Sequence, residues 1–392
     1  MKKIIMASAT SLLLSGASFA GNVNIGIILG FTGPIESLTV DMGAGAELAI
    51  SEVNGAGNFE FGKVSSTRGD STCIDSAAAT AAAERLITAD KVNAIVGGDC
   101  SGVTTAMLEN VAVANGTVMI SPSATSPALS TVADNGLFFR TAPSDARQGE
   151  IVRDILMEQG YNSIAISYTN NDYGKGLADS IEANFKAAGG TVTLNASHED
   201  GKGDYGAEVA ALAQAGGEIL VVAGYLNDGG KGIIMAALDT GAFDMFYLPD
   251  GMIGDSLPED IGPDLDGSIG AVPGTDSPGA AKFGEMATAN GFKAGPFAAE
   301  SYDAAALIML AMQASGSADS TVFKDHVMDV ANAPGEKIFP GELGKAIDLL
   351  KAGKDIDYVG ASAVELIGPG ESAGAYREIL VKGGKNTTVG YR

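Results

Sequence analysis

The chain has 392 residues, more than one hydrophobic core usually organises, so two domains are expected. Hydrophobic residues make up 46% and the 54 glycines follow no period, which excludes disordered and collagen-like classes. With 48 acidic against 24 basic residues the net charge is −24, a field that repels nucleic acid and anionic lipid.

The first residues read as a secretory signal peptide over 1–20. Lys2 and Lys3 form a basic start, Ile4 to Ala17 is apolar, and Ser18-Phe19-Ala20 is a small-x-small signal with cutting expected after Ala20. The apolar stretch is shorter than the ~20 residues a span needs. No cysteine lies near the cut to carry a lipid anchor there. The mature chain is expected to be exported, in the periplasm.

From Asn22 apolar strands alternate with helices. Strands are expected at 23–30, 63–70, 91–98 and 117–121, with helices at 43–57, 75–90 and 101–116 between them. Asp75 or Ser76 caps the second helix. A second series follows: helix 145–160, strand 163–169, helix 173–188, strand 191–195, helix 205–215, strand 218–224, helix 229–240 and strand 245–250. Strands alternating with helices imply parallel sheets covered on both faces. The count is too large for one sheet. Breaks are expected near Ala142-Pro143-Ser144 and Val272-Pro273-Gly274. Residues 21–143 with 274–357 then form one lobe, and 144–273 with 358–392 the other. C-terminal strands at 359–366 and 376–384 are expected to return to the second lobe.

The two cysteines, Cys73 and Cys100, lie in a chain bound for an oxidising compartment, so a disulfide between them is expected. No C-x-x-C pattern supports a redox thiol. Ligands in open parallel sheets sit where strands end and helices begin. Those positions here are Gly30–Gly33, Gly98–Gly102, Ser121–Thr125, Tyr173, Tyr225 and Asp250.

Ser101, in "GGDCSGVTTA", admits two roles. As a hydrolytic nucleophile it needs a base, and only His198 and His326 exist. His198 lies in a polar stretch and His326 in an amphipathic helix, so both read as surface residues. Gly98-x-x-Ser101-Gly102 is not the G-x-S-x-G elbow. No H-E-x-x-H or phosphate loop is present, and nothing specifies a metal or a cofactor. As the start of a helix, Ser101 would instead offer N–H groups to an anion. The "ISPSATSPALS" loop (120–130) adds Ser123 and Thr125, while Asp250 ends a strand of the other lobe and suits an ammonium. An anion site on one lobe and a cation site on the other describe an α-amino acid.

Beyond those single positions, the segments "IGIILGFTGPIESL", "GDSTCIDSAAA", "VGGDCSGVTTA", "MISPSATSPALS", "NNDYGKGLADS", "VVAGYLND", "YLPDGM" and "ESYDAAALIMLA" span nearly all of the mature chain. Together they resemble the periplasmic leucine/isoleucine/valine-binding proteins of bacterial ABC importers, the type I solute-binding fold. The resemblance implies an α/β protein of two lobes, each a mostly parallel sheet flanked by helices, hinged by crossover strands. It implies a binding protein rather than an enzyme, a monomer that passes a small amino acid to a membrane permease without a cofactor. It also implies roles. Ser101 takes the ligand carboxylate, Ser123 offers its carbonyl, and Thr125 offers its N–H and hydroxyl. Tyr173 and Tyr225 close over the ligand, Asp250 meets the ammonium, Phe297 lines the side-chain pocket, and Cys73 pairs with Cys100. Two positions depart from the pattern: Leu38 stands where an aromatic is usual, and Asp99 where branched-chain binders are apolar. Either Asp99 points away or the ligand brings a polar or cationic group, with Glu36 in a nearby loop as a second acid. The alternatives are the same fold binding an amide, a polyamine, an aromatic acid or a basic or polar amino acid, and an exported serine hydrolase using Ser101.

Overall fold

A computed structural model describes residues 22–392, so the expected signal peptide and its cut after Ala20 lie outside the described residues. Two seven-stranded sheets carry the architecture. The first contains β1 (Val23–Leu29), β2 (Val64–Asp70), β3 (Ala94–Gly97), β4 (Met119–Ser121) and β5 (Phe138–Pro143). The second contains β6 (Ser163–Thr169), β7 (Thr191–His198), β8 (Ile219–Ala223), β9 (Phe246–Leu248) and β10 (Ile269–Pro273). In each sheet these five strands are parallel and follow one plan, β2-β1-β3-β4-β5 and β7-β6-β8-β9-β10. β3 and β8 are buried along their whole length because helices cover both faces, and their sequences are accordingly continuous apolar runs. A two-stranded ribbon, β11 (Glu336–Ile338) with β12 (Ile356–Tyr358), stands apart.

The C-terminal segment is shared between the sheets, which corrects the expectation that 358–392 returns whole to the second. The short strands β13 (Leu366–Ile367) and β14 (Glu371–Ser372) extend the first sheet at the edge of β5. That edge is satisfied by Arg140 N–H donating to the Gly370 carbonyl at 2.9 Å, and the buried Arg140 guanidinium pairs with Glu371 at 2.5 Å. β15 (Tyr376–Val381) and β16 (Asn386–Tyr391) add antiparallel strands to the second sheet. The strand expected at 359–366 is absent. The N–H groups of Ala361 and Ser362 donate to the Asp303 carboxylate at 2.8 and 2.7 Å, so they are not free for a ladder. The chain therefore passes between sheets three times, after Pro143, after Pro273 and between Ser372 and Tyr376.

Two helices organise the first lobe's core. Helix Ala298–Ser315 is buried along nearly its whole length and packs on helix Glu36–Ala56. The latter starts seven residues before the expected 43, so Glu36 opens a helix rather than sitting in a loop, and its side chain is exposed. The helices touch at Gly45, where a methyl group would overlap the Ala298 carbonyl oxygen.

Candidate functional site

The carboxyl ends of both sheets face each other across a closed cleft. Asn227 of the second lobe donates through its backbone to the Pro34 carbonyl at 3.1 Å and through its amide to Ser37 Oγ at 2.9 Å. Lys293 and Asp255 pair at 2.7 Å. Behind these contacts lies a cavity lined by Ile35, Leu38, Asp99, Cys100, Ser101, Ser123 and Phe297 on one side. Tyr173, Tyr225, Asp250 and Gly251 line the other. The cavity is small, about 320 Å³.

Each wall follows from local structure. Ser101 begins a helical run, 101–115, broken only by a π-turn at Leu108–Ala112, and its Oγ accepts from Ser126 N–H at 3.1 Å. The Cys73–Cys100 disulfide, with Cα atoms 5.1 Å apart, ties the residue before Ser101 to the loop after β2. Ser123 Oγ donates to the Asp99 carbonyl at 3.0 Å. Opposite, Asn171 caps helix Asp172–Ala187 by accepting from Gly174 N–H, which presents Tyr173 from the first turn. Tyr173 O–H donates to Asp250 at 2.7 Å, and Gly251 N–H donates to the same carboxylate at 2.9 Å. The Tyr225 ring stacks on Tyr173 with centroids 5.3 Å apart and planes 18° apart. Burial pushes the Asp250 carboxyl up, opposed by these hydrogen bonds. Phe297 is held at φ 61°, a left-handed conformation costly for an aromatic residue.

A family model described as periplasmic binding protein matches residues 22–338. The Leu/Ile/Val-binding protein homolog 1 of Brucella suis is 30% identical over 320 residues, covering 80% of this chain and 84% of that protein. This chain belongs to the periplasmic binding proteins, in the leucine/isoleucine/valine-binding family. Among solved structures, the leucine-binding protein LivK of Thermotoga maritima superposes with TM-score 0.79 at 21% identity, covering 94% of this chain and 98% of that one. LivJ of Streptococcus pneumoniae, solved with isoleucine, gives 0.77 at 22% identity, covering 93% and 97%.

In this periplasmic binding protein the cavity gathers Ser101, Ser123, Tyr173, Tyr225, Asp250, Phe297, Asp99 and Leu38. Thr125 is fully buried but stands behind the wall, its hydroxyl without a partner. The exposed Glu36 does not line the cavity. Neither histidine lines it, so no Ser–His pair forms at Ser101. His198 is not the surface residue expected: β7 runs past the polar pattern, and its ring is buried with Nδ1 2.8 Å from Ser167 Oγ. Burial lowers its pKa to about 4, which keeps it neutral.

Three residues that sequence reasoning missed stand with Thr125 behind Asp250. Asp145 opens helix Asp145–Glu158 directly after the first crossover, and both its carboxylate oxygens are buried without a partner. Gln148 and the Tyr376 hydroxyl are likewise buried and unpartnered. Burial, and then the charge of Asp250, hold the Asp145 carboxyl well above its ordinary value. The signal for Asp145 was available: an acid at a helix start, at a strand's carboxyl end, on the break between lobes. Among the described residues no group of three or more His, Cys, Asp or Glu is placed to hold a metal ion, and no helix is long and apolar enough to cross a membrane.

Proposed function

We propose that this protein is the solute-capturing component of an ABC importer, exported to the periplasm as a monomer after removal of residues 1–20. It takes a small α-amino acid of branched-chain size and delivers it unchanged to a membrane permease. The carrying observation is the pairing, across one closed cavity, of Ser101 at a helix start with the Tyr173–Asp250 couple on the opposite lobe. Ser101 and the free N–H groups of its helix hold the ligand carboxylate. Asp250 takes the ammonium together with the Ser123 carbonyl, and Thr125 and Asp145 stand buried behind them. Tyr173 and Tyr225 cover the ligand. The named ligands of the Brucella and Streptococcus relatives support the amino-acid class. The lobes move about the three crossovers. Closure is favoured because only the closed form gives the ligand both sets of contacts.

Calorimetry on chain freed of carried-over ligand tests this. Ser101→Ala should lose about 1.5–3 kcal/mol of binding to the best α-amino acid, the scale of one hydrogen bond to a charged group, measured where the variant is folded, since the buried Ser126 N–H also loses its acceptor. Unaltered affinity would refute the carboxylate assignment.

A further inference from the structure

The amino-acid reading leaves one residue of the cavity unused. Sheet order fixes which way a ligand side chain runs. Ser123, assigned to the ammonium, follows β4, and Ser101, assigned to the carboxylate, follows β3. The remaining direction leads over the ends of β1 and β2, where the Asp99 carboxylate lies. Gly30 N–H donates to its Oδ2 at 2.6 Å and Ser71 Oγ to its Oδ1 at 2.8 Å. Each oxygen retains acceptor capacity, and Asp99 is 2% exposed while lining the cavity. No Lys, Arg or His lines the cavity with it.

A zwitterion brings one charge of each sign into a wall that already carries Asp99 and Asp250. Its ammonium answers Asp250, and Asp99 is left desolvated without a counter-charge, which is costly. The aromatic lining agrees in sign. The faces of stacked Tyr173 and Tyr225, with Phe297, attract a cation and repel an anion. Ile35 and Leu38 supply apolar surface for a methylene stem, and a cavity of about 320 Å³ suits a short one.

Resting on the amino-acid reading, we infer that the selected ligand is a short-chain diamino acid whose second ammonium is held by Asp99. An aliphatic branched chain fills the same space and leaves that carboxylate unanswered.

Isothermal titration of the ligand-free mature chain with L-ornithine and L-2,4-diaminobutyrate, against length-matched L-norvaline and L-leucine, tests this. A diamino acid should bind roughly tenfold tighter or better than L-norvaline, the reach of one charge-assisted hydrogen bond. Asp99→Asn keeps the shape of the residue and should abolish the preference. Asp99→Leu, if it folds, should turn it toward L-leucine. Tighter binding of L-norvaline or L-leucine by the native chain, or a preference that survives Asp99→Asn, overturns the inference and leaves the amino-acid reading standing. Binding of benzoate with none of the four amino acids overturns both.

Discussion

Glu300 sets an acidic side chain in a buried environment away from the cavity. It is 3% exposed in the first turn of helix Ala298–Ser315, and burial pushes its carboxyl up to about 8. Nearby Asp303 raises it further and Arg377 opposes the rise. The folded chain thus keeps a proton that the unfolded chain releases near pH 4.5. Stability falls wherever the folded state binds more protons, so this residue's contribution is complete below about pH 4.5 and is lost as pH rises toward 8. Glu300→Gln mimics the protonated form. Its melting temperature should exceed that of the native chain at pH 8.5 and match it at pH 5, as read by thermal denaturation across that range. Equal melting temperatures at pH 8.5 would show that Glu300 keeps its charge at no cost.

At the scale of elements, the contact of helices Glu36–Ala56 and Ala298–Ser315 rests on the absence of a side chain at Gly45. Gly45→Ala raises helix propensity by about 1 kcal/mol, yet sets a methyl group against a backbone carbonyl that cannot swing aside. The clash should win, with a net loss of about 1–3 kcal/mol in denaturant unfolding. The Cys73–Cys100 bridge joins the loops after β2 and β3, closing a separation of 27 residues. On the loop-entropy model it contributes about 3.5 kcal/mol. Cys73→Ser with Cys100→Ser should lower the denaturation midpoint accordingly. Because Cys100 precedes Ser101, the double variant should also weaken amino-acid binding, measured by calorimetry where both forms are folded.

For the whole molecule, the closed cleft is held outside the cavity by polar contacts on one side and, on the other, by helix Asp172–Ala187 packing against Ser126 and Pro127. Asn227 bridges to Pro34 and Ser37, and Lys293 pairs with Asp255, an exposed ion pair worth little. On the proposed function, ligand contacts add to these in the closed form and shift the population toward it. Small-angle scattering should show a smaller radius of gyration with a saturating amino acid than without. Asn227→Ala, which removes the amide bond to Ser37, should weaken binding by a few-fold and shift the unliganded population further open. A radius unchanged by ligand would argue against hinge closure.

The sequence by itself determined the alternation of strand and helix, the breaks near 143 and 273, and the residues at strand ends. Each rests on a local cause: hydrophobic period, Pro and Gly punctuation, and capping side chains. That Ser101, Tyr173 and Asp250 line one cavity follows from parallel sheets presenting their strand ends to a common cleft. Tertiary structure alone decided what depends on distant partners. The segment after 358 is divided between two sheets because β5 and β10 each have a free edge, and edge pairing is not written in the pattern of the joining strand. His198 is buried because Ser167, a neighbour only in space, receives it. Asp145 and Tyr376 come together from segments more than 200 residues apart, and it is burial without partners, invisible in a sequence, that marks them out. Asp99 shows the division within one residue: its departure from the family pattern could be read, but its place in the cavity wall, with Gly30 and Ser71 holding its carboxylate, could not.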